Sequence, residues 1–107
     1  MQRYGSIIKL RPDKLEEYKE LHANVWPDVL AMIRECHIRN YSIYYRDGYL
    51  FSYFEYHGDD FASDMQKMAV DPTTQSWWTL TNPCQEPLET RQPGEWWASM
   101  EELFHVD

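Results

Sequence analysis

A tyrosine and a histidine, Tyr18 and His22, lie four positions apart in a stretch otherwise rich in charged residues. On a helix, side chains at positions i and i+4 share one face, so the phenol and the imidazole are expected to lie side by side. An imidazole changes charge near neutral pH and can give or take a proton. A helical histidine is more often a surface residue or a satisfied core residue. His22, however, shares its stripe with Leu15 and Val25, which indicates that it faces the interior and needs a partner or a substrate there.

Two further aromatic clusters are candidate walls for a pocket around His22. Tyr41 lies in one of them, and the adjacent residues Trp77 and Trp78 form the other. On composition alone the tyrosines are as well explained as core residues, and adjacent indoles on a helix point about 100° apart, so the pair need not act together. Sugars, however, present C–H faces that stack on indoles, and their hydroxyls need donors and acceptors. A pocket of Trp and Tyr with one His meets both needs.

The charge balance and the cysteines exclude several classes of function. Ten basic and eighteen acidic residues give a net charge of −8, which would repel a phosphate backbone, so we predict no nucleic-acid partner. No apolar run approaches the roughly 20 residues that span a bilayer, so we predict no membrane partner. Cys36 and Cys84 have no metal-ligand spacing and are predicted to be free thiols in a reducing cytoplasm. The other histidines share no ligand spacing with His22, so no metal site is expected.

Periodicity and turn signals predict the elements that position these residues. In chain order they are a strand at 2–10, a helix from residue 12 that Pro27 interrupts and that resumes to residue 36, strands at 38–45 and 49–56 joined at Asp47-Gly48, a helix from residue 60 that Asp71-Pro72 stops before a further helical turn, a loop at 82–95, and a last strand within 99–106. The order β-α-β-β-α-β predicts a ferredoxin-like α+β fold, in which one antiparallel sheet carries both helices on one side. Residues 1–107 are expected to form a single domain.

The strand at 49–56 has no polar face. Tyr49, Phe51 and Tyr53 would lie on one side, and Leu50 and Phe54 on the other. A sheet with one solvated side alternates apolar and polar residues, so the face away from the helices is expected to be covered. A second copy of the chain is the simplest cover, and it predicts a homodimer of the dimeric α+β barrel type.

A second pair of adjacent indoles, Trp96-Trp97, follows the proline-rich loop. The pair either fills the core under the loop or borders the pocket of a neighbouring subunit. The sequence leaves both possibilities open.

Several short motifs occur in a specific order and spacing. They are Glu17-Tyr18, His22, Val25-Trp26-Pro27 followed by Asp28, Asn40-Tyr41-Ser42-Ile43-Tyr44, Leu50-Phe51, Trp77-Trp78 and Met100-Glu101-Glu102-Leu103-Phe104-His105. Through them the chain resembles the L-rhamnose mutarotase family over nearly its whole length. The resemblance implies a ferredoxin-like domain that dimerises. The family's catalytic acid, a His on the first helix, falls on His22, and its sugar-binding residues fall on Tyr18, Tyr41, Trp77 and Trp78.

The resemblance implies an isomerase that interconverts the α and β anomers of a 6-deoxy sugar, L-rhamnose first, through the open-chain aldehyde. No electrons move in that reaction, so no cofactor is expected. His22 would protonate the ring oxygen, or act as acid and base in alternate directions, and the second proton-transfer group is either water or a tyrosine hydroxyl. The loop carrying Pro83 to Trp97 looks longer than in the best-known members, which bears on the choice of sugar. The alternatives are an L-fucose mutarotase, a cofactor-free or haem-dependent monooxygenase of the same dimeric fold, and a non-catalytic sugar-binding module.

Overall fold

Prolines occupy the first or second position of four of the six helical segments, because a proline lacks the N–H that the first helical turn leaves unpaired and already has a helical φ. In the computed structural model, which describes residues 1–107, each predicted helical region is a pair of short helices. The elements are β1 (Gln2–Leu10), a 3₁₀ turn (Pro12–Lys14), α1 (Leu15–Ala23), α2 (Pro27–Glu35), β2 (Ile38–Arg46), β3 (Tyr49–Tyr56), α3 (Phe61–Ala69), α4 (Pro72–Thr81), a 3₁₀ turn (Asn82–Cys84), β4 (Gln85–Glu86) and β5 (Ala98–Met100). Aspartates cap α3 and α4, since Asp60 accepts from the Ser63 N–H and Asp71 from the Thr74 N–H.

The strands form one antiparallel sheet in the order β2-β3-β1-β4, and β5 also pairs with β1. The predicted ferredoxin-like α+β arrangement is confirmed. Its last strand is in two pieces on the same edge of β1, with β4 opposite Lys9 and Leu10 and β5 opposite Gly5 to Ile7. The chain between the two pieces leaves the sheet.

The predicted ends of the chain differ from the structure in two places. The loop predicted at 82–95 begins with a 3₁₀ turn and a short strand, because Pro83 turns the chain back so that Gln85 pairs with Leu10. The predicted strand within 99–106 is wrong beyond Met100, and the residues after it are exposed. There an ion pair of 3.0 Å between Arg3 and Glu102 holds the tail by side chains, with no strand pairing.

The core lies between the sheet and the helices. An apolar cluster on this face of the sheet consists of Ile8, Leu10, Tyr18, Leu50 and Cys84, with Leu15, Leu21, Ile43 and Trp97 packed against it. Burying an aliphatic side chain of this size contributes about 1.5–3 kcal/mol. The ring of Tyr18 is therefore anchored by the same contacts that hold the sheet to α1.

A bulge in β2 decides where Tyr41 lies. Arg39 pairs with Glu55 and Ser42 pairs with Tyr53, so two residues of β2 lie opposite one residue of β3. Asn40, at the bulge, has a φ of 51°, a left-handed conformation that asparagine tolerates better than most residues. The extra residue turns Tyr41 towards the helices.

The opposite face of the sheet is open and carries several apolar and aromatic side chains. Tyr44, Tyr49 and Met100 are exposed on it, beside the half-buried Phe51 and Tyr53. None of the helices is both long and apolar enough to cross a lipid bilayer.

Candidate active site

Helix α1 brings the predicted tyrosine–histidine pair together at the sheet. Tyr18 is buried and His22 is half-buried, and their ring centroids are 4.2 Å apart. The pair faces inward because apolar residues of the same stripe, Leu15 among them, pack against the core cluster.

The hydrogen bonding of His22 defines its tautomer. Its Nδ1 lies 2.9 Å from the backbone carbonyl oxygen of Tyr18. A carbonyl oxygen only accepts, so Nδ1 carries the hydrogen, and in the neutral ring Nε2 keeps a lone pair. Burial lowers the pKa of His22 from its ordinary value of 6.5, and the carbonyl contact opposes this only in part. At neutral pH the imidazole is therefore uncharged, with Nε2 able to accept a proton.

The Tyr18 hydroxyl lies in a protected environment. Its oxygen is 3.1 Å from Nε2 of Gln85. Burial first, and then the nearby phenol of Tyr41, raise the pKa of Tyr18 far above its ordinary value. The Tyr18 phenol therefore keeps its hydrogen across the whole physiological pH range.

Tyr41 reaches the site from the sheet. It contacts Phe54 with a centroid separation of 5.6 Å, on the face that the helices cover. The residue is 42% exposed, yet burial raises the pKa of its phenol, so the hydroxyl end is the sheltered part of the side chain. The electrostatic effect of Tyr41 on Tyr18 places the two hydroxyl groups in one region.

The structure separates Trp77 from Trp78. Trp77 is only 6% exposed and contacts His22 and Trp26, with centroid separations of 5.6 and 5.3 Å. Its remaining surface borders a small cleft of about 310 Å³ beside Glu17 and Glu20. Trp78 points elsewhere, as expected for neighbours on a helix.

Trp78 lines a larger cleft of about 670 Å³, a size common among small-molecule sites. The lining includes Arg11, Gln75, Trp78, Asn82, Gln85 and Trp96. Two indoles among amides and a guanidinium suit a ligand with apolar faces and many hydroxyls. Tyr18 and His22 do not line this cleft, and Gln85 connects it to them through the Tyr18 hydroxyl.

Trp96 and Trp97 have different environments. The indole Nε1 of Trp96 donates to Oε1 of Gln85 over 2.7 Å, and its ring faces the large cleft. Trp97 packs against the apolar core cluster. One member of the pair thus fills the core and the other borders a cleft of its own chain.

Gln85 was not predicted from the sequence. It lies in a segment assigned to a loop, and a lone glutamine there has no distinguishing signal. The structure makes it a buried residue with both ends of its amide hydrogen-bonded. No group of three or more His, Cys, Asp or Glu side chains is arranged to hold a metal ion.

The antiparallel sheet with its helices on one face places the chain among α+β barrel proteins of ferredoxin-like topology. Within this class the chain belongs to the L-rhamnose mutarotase family, whose model matches residues 3–106. An L-rhamnose mutarotase from Oceanobacillus iheyensis is 31% identical, and the alignment covers 100% of each chain. The resemblance noted in the sequence is confirmed, as is the activity class, a mutarotase among the isomerases.

Solved structures support the fold. The crystal structure of an L-rhamnose mutarotase from Formosa agariphila has a TM-score of 0.78 at 20% identity, with 100% of both chains covered. Tetracenomycin F2 cyclase from Streptomyces glaucescens, a type-II polyketide cyclase, has a TM-score of 0.75 at 13% identity, covering 100% of this chain and 98% of that one. Since so different an enzyme shares the fold, the assignment of function rests on the family and the site.

Proposed function

We propose that this protein interconverts the α and β anomers of L-rhamnose, with His22 as its proton-transfer group. The observation that carries the proposal is the neutral His22 imidazole, sheltered between Tyr18 and Trp77 with the lone pair of Nε2 available. The choice of L-rhamnose is supported by the family to which the chain belongs.

Anomer exchange needs little machinery beyond proton transfer. The anomeric hydroxyl loses a proton, the bond from C1 to the ring oxygen breaks, and its electron pair stays on the ring oxygen, which gains a proton. The resulting aldehyde rotates about C1–C2 and closes on its other face. A spontaneous rate of about 10⁻⁴ to 10⁻³ per second corresponds to a barrier of roughly 22 kcal/mol. One positioned acid–base group adds about 10² to 10⁴-fold.

His22 is suited to act as base and then as acid. Its neutral ring takes the anomeric proton on Nε2, and the imidazolium so formed returns a proton to the ring oxygen. Both oxygens are bonded to C1, so one imidazole can reach either. The available lone pair supports the alternating role over one in which His22 begins as the acid.

The aromatic residues divide the remaining tasks. Trp77 packs on the imidazole and keeps water from it. Trp78 lines the large cleft, which Gln85 connects to the Tyr18 hydroxyl, and would offer its indole face to the end of the sugar away from His22, where the C6 methyl group lies. The hydroxyls of Tyr18 and Tyr41 bind sugar oxygens.

The test is exchange NMR with the intact protein, comparing L-rhamnose and L-fucose. His22→Ala is expected to lose about 10² to 10⁴-fold in the enzyme-dependent exchange rate while its melting temperature stays close to that of the wild type. The matched control is His57→Ala, which removes an exposed imidazole bonded only to Glu55. A folded His22→Ala protein with near-wild-type exchange would remove His22 from the mechanism. Saturable sugar binding by the wild type without exchange would indicate a binding module instead.

We further propose that a second copy of the chain covers the open face of the sheet. The exposed side chains of Tyr44, Tyr49 and Met100 lie together on this face, and the exposed apolar residues Leu103 and Phe104 follow Met100 directly in the chain, so a second copy would find apolar surface to cover. Sedimentation should give twice the chain mass, and Tyr44→Asp should shift it towards the monomer. Leu80→Asp, which changes an exposed leucine on α4, should not. A monomeric wild type at micromolar concentration would contradict the dimer.

The cysteines support a cytoplasmic location. Cys36 and Cys84 are buried and unpaired, as is usual in a reducing compartment. Fractionation of cells that express the protein would test this, and recovery outside the cytoplasm would overturn it.

A further inference from the structure

We propose that Gln85 is a positioning residue that makes the Tyr18 hydroxyl a hydrogen-bond donor to the substrate, and that Trp96 fixes the direction of the Gln85 amide. The inference rests on the anomer exchange proposed above. It assigns a role to two residues outside the set that the family resemblance implies.

The indole of Trp96 sets the orientation of the amide. An indole N–H can only donate, so the atom of Gln85 at 2.7 Å from it is the carbonyl Oε1. The amide group of the same side chain then points the opposite way, towards α1. The orientation of Gln85 is thus fixed by a donor that has no alternative role.

The amide in turn sets the direction of the Tyr18 hydroxyl. Nε2 of Gln85 lies 3.1 Å from the phenol oxygen, and an NH₂ group can only donate, so the phenol accepts at this contact. Gln85 is the sole side chain that hydrogen-bonds to the Tyr18 hydroxyl. The single hydrogen of the phenol is therefore left for another acceptor, and because the Tyr18 ring lies 4.2 Å from that of His22, a sugar bound at His22 would supply that acceptor.

Burial gives this arrangement its strength. Gln85 is 4% exposed, because β4 pairs it with Leu10 on the helix-covered side of the sheet. A polar group that is buried must be hydrogen-bonded, so the two contacts cannot be exchanged for water without a penalty. The side chain is held in one orientation before any substrate arrives.

The hydroxyl hydrogen of Tyr18, which Gln85 leaves free, can stabilise the transition state of ring opening. When the C1–O bond breaks, negative charge develops on the oxygen that keeps the electron pair, until His22 protonates it. A phenol that donates to this oxygen stabilises the transition state more than the ground state. A hydrogen bond to a charged group of this kind corresponds to about 10- to 100-fold in rate.

The decisive comparison is between Gln85→Glu and Gln85→Met, measured as kcat and KM for L-rhamnose exchange. A carboxylate at this position accepts from both Trp96 and Tyr18, so it keeps both contacts but takes the phenol hydrogen away from the substrate. Methionine, which is similar in length, loses both contacts and leaves that hydrogen free. We expect Gln85→Glu to lower kcat by about 10- to 100-fold with KM nearly unchanged, and Gln85→Met to lower it less. If Gln85 only tethered the loop, Met would be the more harmful change.

A double-mutant cycle identifies the partner. In a Tyr18→Phe background the phenol hydrogen is already absent, so Gln85→Glu should have little further effect on kcat. Gln66→Glu, the same change on the exposed surface of α3, controls for added charge. An equal loss from Gln85→Glu with and without the Tyr18 hydroxyl would overturn the proposal, and so would a larger loss from Met than from Glu.

Trp96→Phe provides a test that does not alter a buried side chain. Trp96 is 41% exposed, and the substitution removes only its N–H donor and part of its ring. The freed amide should orient less uniformly, which lowers kcat by several-fold, and the unpaired Gln85 carbonyl oxygen should lower the melting temperature slightly. Unchanged kcat would remove Trp96 from the arrangement. A wild-type protein that shows no anomer exchange would contradict the proposed function itself. That result differs from the outcomes above, which concern only Gln85 and Trp96 in a protein that does exchange anomers.

Discussion

In each of the two adjacent indole pairs of this chain, one ring is packed inside the protein and the other borders a cleft, but the local backbone differs between the pairs. In Trp77-Trp78 the first ring packs inside against His22 and the second borders the large cleft. In Trp96-Trp97 the first ring borders the same cleft and the second packs against the apolar core. The first pair lies on a helix, where neighbours diverge by about 100°. The second pair lies in the bend just before β5, where the chain sends one ring to the large cleft and the other to the core.

The comparison shows that adjacency in sequence does not create one aromatic platform. The two cleft-facing rings, Trp78 and Trp96, come from segments far apart in the chain and line one cleft. The two inner rings stabilise different regions, the imidazole and the apolar cluster. Each pair thus supplies one anchor and one surface that a ligand can use.

The largest expected difference lies within the helical pair. Trp77→Ala empties a site that is 6% exposed and should lower the free energy of unfolding by about 3–5 kcal/mol. Trp78→Ala should lower it by less than half of that, because its ring is only half-buried. Denaturant unfolding measures both. Equal losses of unfolding free energy would contradict the burial of Trp77 and the partial exposure of Trp78.

In the pair Trp96-Trp97 the inner ring should again contribute more to the free energy of unfolding than the outer one, but the difference should be smaller. Trp97 is half-buried against the core cluster, so Trp97→Ala is expected to cost about 2 kcal/mol of unfolding free energy. Trp96→Ala should cost less than about 1 kcal/mol, since it removes one hydrogen bond and an exposed ring. Thermal unfolding of both variants checks the order, and a reversed order would show that Trp96 is the anchor.

The smallest effect is a displacement of the pH profile. The pKa of His22 is lowered by burial, so kcat/KM should stay high as the pH falls through 6.5 and decline only below it, where the base becomes protonated. Trp77→Phe admits water to the imidazole and should raise that pKa, which moves the decline to higher pH. Trp78→Phe, which does not contact His22, should leave the profile in place. A wild-type decline centred at or above 6.5 would contradict the burial of the imidazole.

Local patterns predicted most of the scaffold. The turn at Asp47-Gly48, the prolines at helix starts and the stripe carrying Tyr18 and His22 are all short-range signals, and the structure has each of them where it was expected. The division of the indole pairs was only partly predictable. Helical geometry indicates that Trp77 and Trp78 diverge, but which of them meets His22 depends on the packing of α4 against α1 and α2.

Contacts between distant segments could not be predicted. The bonds from Gln85 to Tyr18 and Trp96 join residues 67 and 11 positions apart, and no periodicity marks them. The bulge at Asn40 is equally hidden, since simple alternation from Ile38 would have placed Tyr41 on the open face of the sheet. The tail was misjudged because an apolar, strand-like composition after Met100 says nothing about whether an edge is free to pair with it.

The bulge at Asn40 absorbs one extra residue of β2 and thereby decides which face of the sheet Tyr41 occupies. If the same residues ran from Ile38 in simple alternation, without the bulge, the inward and outward sets from Tyr41 through Tyr45 would be exchanged. The phenol of Tyr41 would then leave the pocket, and Tyr44 would lie beneath the helices in place of Ile43 and Tyr45. A redesign for another sugar can therefore vary the side chains of this strand as long as Tyr41 stays opposite Phe54 on the helix-covered face.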